Sequence, residues 1–144
     1  MTRAHFPVAV HLFFFRGDCV LLLRRFNTGF GDGQYSLPAG HLDGGETVKE
    51  ACIREALEEI GVRIEESHLS FSAVMHRMEG DERVDFFFTV EAWEGEPFNA
   101  EPQKCDDLRW AKINALPLNM IPYVRRALEN YQKDVQFDDY SSRR

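Results

Sequence analysis

Residues 40–62 read GHLDGGETVKEACIREALEEIGV, a glycine-rich turn running directly into a segment of strong helix formers. Glu46 to Ile60 favours helix throughout, and Gly61 supplies a C-terminal stop. At about 100° per residue, Glu55, Glu58 and Glu59 fall within one arc of roughly 100°. Ile53, Ala56, Leu57 and Ile60 fall in the neighbouring arc, so the helix has an apolar edge to bury and a carboxylate edge beside it. Like charges three or four residues apart destabilise a helix. Glutamate-rich faces are often simply solvated, and Arg54 with Glu58 is also an ordinary i,i+4 pair. The glycine turn supports a second reading, because it lets backbone approach a metal or a phosphate closely. Hard divalent ions such as Mg2+ take oxygen ligands, with water and phosphate completing the shell. The carbonyl of Ala39, just before Gly40, is a further oxygen donor. Glu46 opens the helix at its positive end and is placed to pair with Arg54 and brace the loop.

Upstream, the apolar runs Val8–Phe15 and Cys19–Arg24 flank Arg16-Gly17-Asp18 and read as a β-hairpin. Residues 27–34 hold three glycines and form a loop, and 35–38 a short extended piece. Downstream, Val62–Ile64, Leu69–Arg77, Arg83–Trp93 and Leu108–Lys112 read as strands, with a polar turn at 78–82 and a loop at 94–104. A second helix spans Ile121–Gln132, with Pro122 in its first turn and Ile121, Val124, Leu128 and Tyr131 on one face. Mixed strands with few helices predict an α/β fold with a central mixed sheet between helices, as a single domain over 1–133 followed by a polar, frayed tail over 134–144.

The chain has 144 residues, 44% of them hydrophobic, and a formal net charge of −7. That balance disfavours a nucleic-acid polymer as partner, and any phosphate bound must be met by local cations. The 3 cysteines, Cys19, Cys52 and Cys105, include no CxxC pair, which favours reduced thiols and a cytoplasmic location. The apolar run at Val8–Phe15 reads as a buried strand rather than a signal peptide, and no run has the length to span a membrane.

Residues 40–62 resemble the Nudix box, G-x5-E-x7-R-E-U-x-E-E-x-G-U, where U is usually bulky and apolar. Gly40, Glu46, Arg54, Glu55, Glu58, Glu59, Gly61 and Val62 match it. Ala56 is smaller than the usual aliphatic. The hairpin, the later strands, Trp110, Leu116-Pro117 and the last helix also fall where this family has them. The resemblance implies the Nudix fold, an α/β/α sandwich, and attack of water on a phosphorus of a nucleoside diphosphate linked to another group. It further implies Glu55, Glu58 and Glu59 as ligands of Mg2+ or Mn2+, assisted by the Ala39 carbonyl, with Arg54 and Glu46 as braces. The general base is left open among Glu55, Glu59 and the loop acids Glu79, Asp81, Glu82, Glu96 and Glu101, with Glu101 preferred. Arg24, Arg25 and Gly40 are candidates for contact with the substrate. His41 is not assigned chemistry, and His11 and His76 are read as packed or surface residues.

The box does not name the leaving group. Arg77 stands where similarity to ADP-ribose pyrophosphatases would want proline, and no tyrosine of the dinucleoside polyphosphate hydrolase type lies between Tyr35 and Tyr123. Pro97-Phe98-Asn99-Ala100-Glu101-Pro102-Gln103-Lys104-Cys105 is similar to a stretch of some MutT-like nucleoside triphosphate pyrophosphohydrolases. The expected substrate is therefore a small nucleotide: a nucleoside triphosphate, plain or oxidised, first, then ADP-ribose or a nucleotide sugar. A nucleotide-sensing domain is disfavoured because no box glutamate is lost, and a homodimer is left open. If Glu58 is a ligand, Glu58→Gln lowers metal affinity and turnover steeply; near-normal turnover removes it from the ligand set.

Overall fold

A computed structural model describes residues 2–141 of the chain. Its elements run β1 (Val8–Phe13), β2 (Phe15–Arg16), β3 (Cys19–Arg25), β4 (Tyr35–Ser36), β5 (Ala39–His41), α1 (Val48–Ile60), β6 (Leu69–Glu79), β7 (Asp81–Val90), β8 (Cys105–Lys112), α2 (Pro122–Gln132) and β9 (Phe137–Ser141). A five-stranded sheet has the order β5-β1-β7-β6-β9. It is mixed: β1 and β7 run parallel, as do β6 and β9, while β1–β5 and β6–β7 are antiparallel. In a second sheet β3 pairs antiparallel with β2, β4 and β8.

The unbroken apolar run at the N-terminus has a simple cause, since β1 is buried on both faces. Side chains alternate across a strand. Val10, Leu12 and Phe14 join one core with Ala51, Cys52, Ala56 and Ile60 of α1. Phe13 joins the other core with Tyr123, Val124, Ala127 and Leu128 of α2. A mixed sheet thus lies between two helices, as the sequence predicts. The hairpin expectation needs correcting, because only Phe15 and Arg16 pair with β3. The run changes sheets at Phe14, and Val8–Phe13 pairs instead with β5 and β7.

Helix α1 starts two residues later than the sequence suggests. Thr47 is its N-cap, in a capping box: its side chain accepts from the Glu50 N–H, and the Glu50 carboxylate accepts from the Thr47 N–H. Glu46 is left outside the helix, free to meet Arg54. At the other end Gly61 adopts φ 69°, and a Cβ there would lie 2.1 Å from the Phe98 ring, so position 61 needs glycine for two separate reasons. The apolar edge is also displaced, with Leu57 exposed and Glu55 buried.

Val62–Ile64 makes only an isolated bridge, Arg63 with Glu94, rather than a strand. The expected polar turn at 78–82 shrinks to Gly80, because β6 and β7 stay paired up to Glu79 and Asp81. The tail is not frayed over 137–141. It adds a parallel edge strand to β6, and Asp138 accepts from Asn130 and pairs with Arg126 of α2. Residues 142–144, which the frayed-tail expectation also covers, lie outside the described residues.

Between the sheet and α2 lies a buried polar trio of Asp85, Arg77 and His11. Asp85 accepts from Arg77 Nε at 2.8 Å and from His11 Nε2 at 2.9 Å. The Arg77 guanidinium also sits 3.6 Å from the centre of the Tyr123 ring. Burial pushes the Asp85 carboxyl up, but the hydrogen bonds and charges of His11 and Arg77 outweigh it and hold it at about 2, below the usual 3.8. A carboxyl held low stabilises the fold above its unfolded value, and the contribution is lost as pH falls through the folded one. Asp85→Ala should therefore cost about 3–5 kcal/mol near neutral pH. Its stability should also fall less steeply than that of the wild type between pH 4 and pH 2. Urea unfolding at several pH values checks this, and a neutral cost under about 1 kcal/mol contradicts it.

Candidate active site

The carboxylate edge of α1 is seated on β5. The Ala39 N–H donates to Glu59 Oε1 at 2.8 Å. Leu12 N–H bonds Pro38 O and Leu42 N–H bonds Val8 O, so the polar groups of Ala39 point away from β1. The Ala39 carbonyl therefore emerges on the same side as its N–H, towards α1. Gly40 makes the approach possible, since a Cβ there would lie 2.1 Å from the Glu55 carboxyl carbon.

Arg54 gathers the rest. It donates from Nη2 to Glu46 Oε1 at 2.7 Å and from Nε to Glu46 Oε2 at 3.1 Å, a bidentate fork. Nη2 also reaches the His41 carbonyl at 3.0 Å, and Nη1 reaches Glu55 at 2.5 Å and Glu58 at 3.3 Å. The Asp43 N–H closes the loop onto Glu46. The hydrogen bond from Arg54 holds the Glu46 carboxyl below its usual range. Arg54 thus ties Glu46 and the His41 carbonyl to α1.

Glu55 and Glu59 touch. Burial raises both carboxyls, and for Glu59 the neighbouring charges of Glu55 and Glu101 raise it further. Two partly buried carboxyls pressed together are unfavourable unless a proton or a cation stands between them. The donor set, three carboxylates and a backbone carbonyl, is all hard oxygen and suits a divalent cation such as Mg2+ or Mn2+. Among the described residues no three His, Cys, Asp or Glu side chains converge on one point. Arg54 explains this, because its guanidinium draws Glu55 and the exposed Glu58 to itself.

A cavity of about 850 Å³ opens onto this edge, lined by Ala39, Gly40, Glu55, Glu58 and Glu59. The strap at 98–104 delivers Glu101 to the same cavity, because Phe98 N–H and Ala100 N–H bond the last carbonyls of α1, Ile60 O and Glu59 O. Arg25 lines it as well, with Nε bonded to Phe30 O at 2.6 Å. Arg24 does not, since it turns away to Asp106 at 2.7 Å. Of the other candidate bases, Glu79 and Asp81 line the cavity, whereas Glu82 is tied to His76 and Glu96 to Arg16.

The family profile of the NUDIX domain matches residues 5–131. The chain belongs to the Nudix hydrolase family. Family members act on small nucleotides and generally use divalent metals. This Nudix hydrolase is 29% identical over 97 residues to the 8-oxo-dGTP diphosphatase of Escherichia coli, covering 67% of this chain and 74% of that protein. It is 41% identical over 58 residues to the ADP-ribose pyrophosphatase of Methanocaldococcus jannaschii, covering 40% of this chain and 34% of that one. The MutT NUDIX hydrolase from Burkholderia pseudomallei superposes with a TM-score of 0.80 at 28% identity, covering 88% of this chain and 98% of that one. No helix among the described residues is long and apolar enough to cross a membrane.

Several cavity residues of this Nudix hydrolase escape sequence reasoning: Arg77, Arg83, Lys104, Phe30 and Tyr123. One signal was present. Strand alternation puts Met75 and Arg77 on the same inward phase of β6, and a charged residue there demands a buried partner. His41, left without a role, also lines the cavity. Burial and then the adjacent Arg83 guanidinium, 3.3 Å from its Nε2, push its imidazole down.

Gly40→Ala tests the seating of α1. The added methyl displaces the Glu55 carboxyl, and a misplacement of this kind costs about 100-fold in turnover, while overpacking costs only about 1–3 kcal/mol of stability. Steady-state rates and thermal unfolding on the same protein separate the two effects. Unchanged turnover would show that Glu55 is not held where the site needs it.

Proposed function

We propose that this Nudix hydrolase converts a nucleoside triphosphate, an oxidised deoxynucleoside triphosphate foremost, into its monophosphate and pyrophosphate with Mg2+ or Mn2+. The observation that carries this reading is a single cavity lined both by the α1 carboxylates and by the cationic side chains Arg25, Arg83 and Lys104. Its volume lies within the range of about 300–1,000 Å³ common for small-molecule sites. The similarity to the Escherichia coli 8-oxo-dGTP diphosphatase supports a triphosphate. The docking of residues 98–104 onto the end of α1 gives the MutT-like stretch a physical place beside the acids.

Glu55, Glu58, Glu59 and the Ala39 carbonyl are the proposed metal ligands. A divalent cation held there supplies charge neutralisation for the phosphates and lowers the pKa of water. Arg54 keeps Glu55 and Glu58 on one edge, and its fork to Glu46 fixes the glycine turn. Gly40 lets the Glu55 carboxylate lie against the backbone beside the reacting phosphate. Glu101 accepts the proton of the attacking water; it lines the cavity and acts on Glu59. Arg25 offers its guanidinium to phosphate oxygens. All these residues come from one chain, so the reading needs no second copy. The 3 free cysteines accord with a reducing cytoplasm.

A second reading, ADP-ribose or nucleotide-sugar hydrolysis, draws on the likeness to the Methanocaldococcus jannaschii enzyme. A panel of deoxynucleoside triphosphates, their oxidised forms, ADP-ribose and sugar nucleotides with Mg2+ separates the two. Pyrophosphate released from triphosphates is the expected result, and turnover of ADP-ribose alone overturns the proposal. Glu101→Gln should lower kcat about 100-fold or more with little change in KM, as for loss of a general base.

A further inference from the structure

Four cationic residues line the cavity, and two of them are already neutralised. Arg77 is held by Asp85, and Arg83 by Asp81 at 2.8 Å. Lys104 and Arg25 are not. Among the described residues the Lys104 ammonium has no hydrogen bond and no ion pair. Arg25 spends Nε on Phe30 O and Nη2 on Thr28 Oγ1 at 3.1 Å, and no carboxylate among the described residues pairs with it. Asp32 feels its charge, but the Asp32 oxygens are taken by Thr28 and Gly29.

The backbone brings these two cations together. Arg25 faces Cys105 where the β3–β8 register shifts, and the Phe26 N–H bonds Lys104 O at 2.9 Å. Lys104 closes the turn that begins at Glu101, with its N–H on Glu101 O. One short strap therefore sets a carboxylate beside Glu59 and brings Lys104 to the cavity that Arg25 also lines. The chain has 24 acidic residues against 17 basic ones, so acids are plentiful for pairing. Lys104 is exposed and Arg25 half-buried at the cavity wall, so both charges stay available to an anionic ligand that enters it.

We propose that Lys104, with Arg25 beside it, binds the phosphate oxygens of the substrate that leave as pyrophosphate. The proposal rests on the reading of the chain as a nucleotide pyrophosphohydrolase. The two cations divide the task by their chemistry. Arg25 is a planar fork already oriented by Phe30 and Thr28, whereas Lys104 is a flexible point charge that follows the phosphate as it departs. Arg77 and Arg83 cannot replace them without abandoning Asp85 and Asp81.

The test uses the full chain and inorganic pyrophosphate with Mg2+ as probe. Calorimetry measures pyrophosphate binding directly, and steady-state kinetics measures KM and kcat. Lys104→Gln should weaken pyrophosphate binding about tenfold and raise KM for a triphosphate about tenfold, the loss of one charge-assisted contact. Its kcat should stay within about twofold, and Lys104→Arg should restore most of the affinity. Thermal unfolding of both variants should match the wild type, because Lys104 serves the fold through its backbone bonds to Phe26 and Glu101, which either substitution keeps. Unchanged pyrophosphate affinity in Lys104→Gln overturns the proposal, as does a wild type that does not bind pyrophosphate. A wild type that binds pyrophosphate through Lys104 but hydrolyses no triphosphate sinks the substrate reading and leaves this phosphate site standing.

Discussion

The close seating of α1 on β5 is the contact on which the rest of the structure depends. Only glycine at position 40 leaves room for the Glu55 carboxyl, and only an N–H turned away from β1 lets Ala39 hold Glu59. The helix arrives there because its ends are fixed. Thr47 and Glu50 cap the start, and Gly61 turns the chain out at the finish beneath the Phe98 ring. The same finish exposes the last helical carbonyls, which the 98–104 strap satisfies through Phe98 and Ala100. One packing decision thus places Glu55, Glu58, Glu59, Glu101 and Lys104 around a common space.

Charge is distributed within that space. The α1 edge is acidic and strained, with Glu55 and Glu59 pressed together and Arg54 acting as an internal counter-ion. At another wall of the cavity Arg77 and His11 are satisfied almost completely by Asp85, buried behind them. The exception is His11 Nδ1, the one buried side-chain polar atom among the described residues without a partner. An acidic protein can hold a polyanion when its cations are concentrated where the phosphates lie and its acids are arranged to hold further cations.

The sequence by itself determined the family-defining segment, the acids of α1, the Arg54–Glu46 brace and both helices. Their signals are local: helical spacing, a glycine stop and a short motif at fixed intervals. It also made Glu101 a candidate, which the strap then brings beside Glu59. Sheet membership was beyond it, because an apolar run such as Val8–Phe15 reads alike whether it forms one hairpin or divides between two sheets. The edge strand at 137–141 was hidden for a related reason, since its residues are held by backbone bonds and by contacts of Asp138 and Tyr140 with α2 that no local pattern announces. Tertiary structure alone decided between Arg24 and Arg25, adjacent residues whose side chains leave opposite faces of β3. It likewise decided that Arg77 meets Asp85 while Lys104 meets no acid among the described residues. Such pairings depend on which strands become neighbours, and that information resides in the packing of distant segments rather than in any single stretch of the chain.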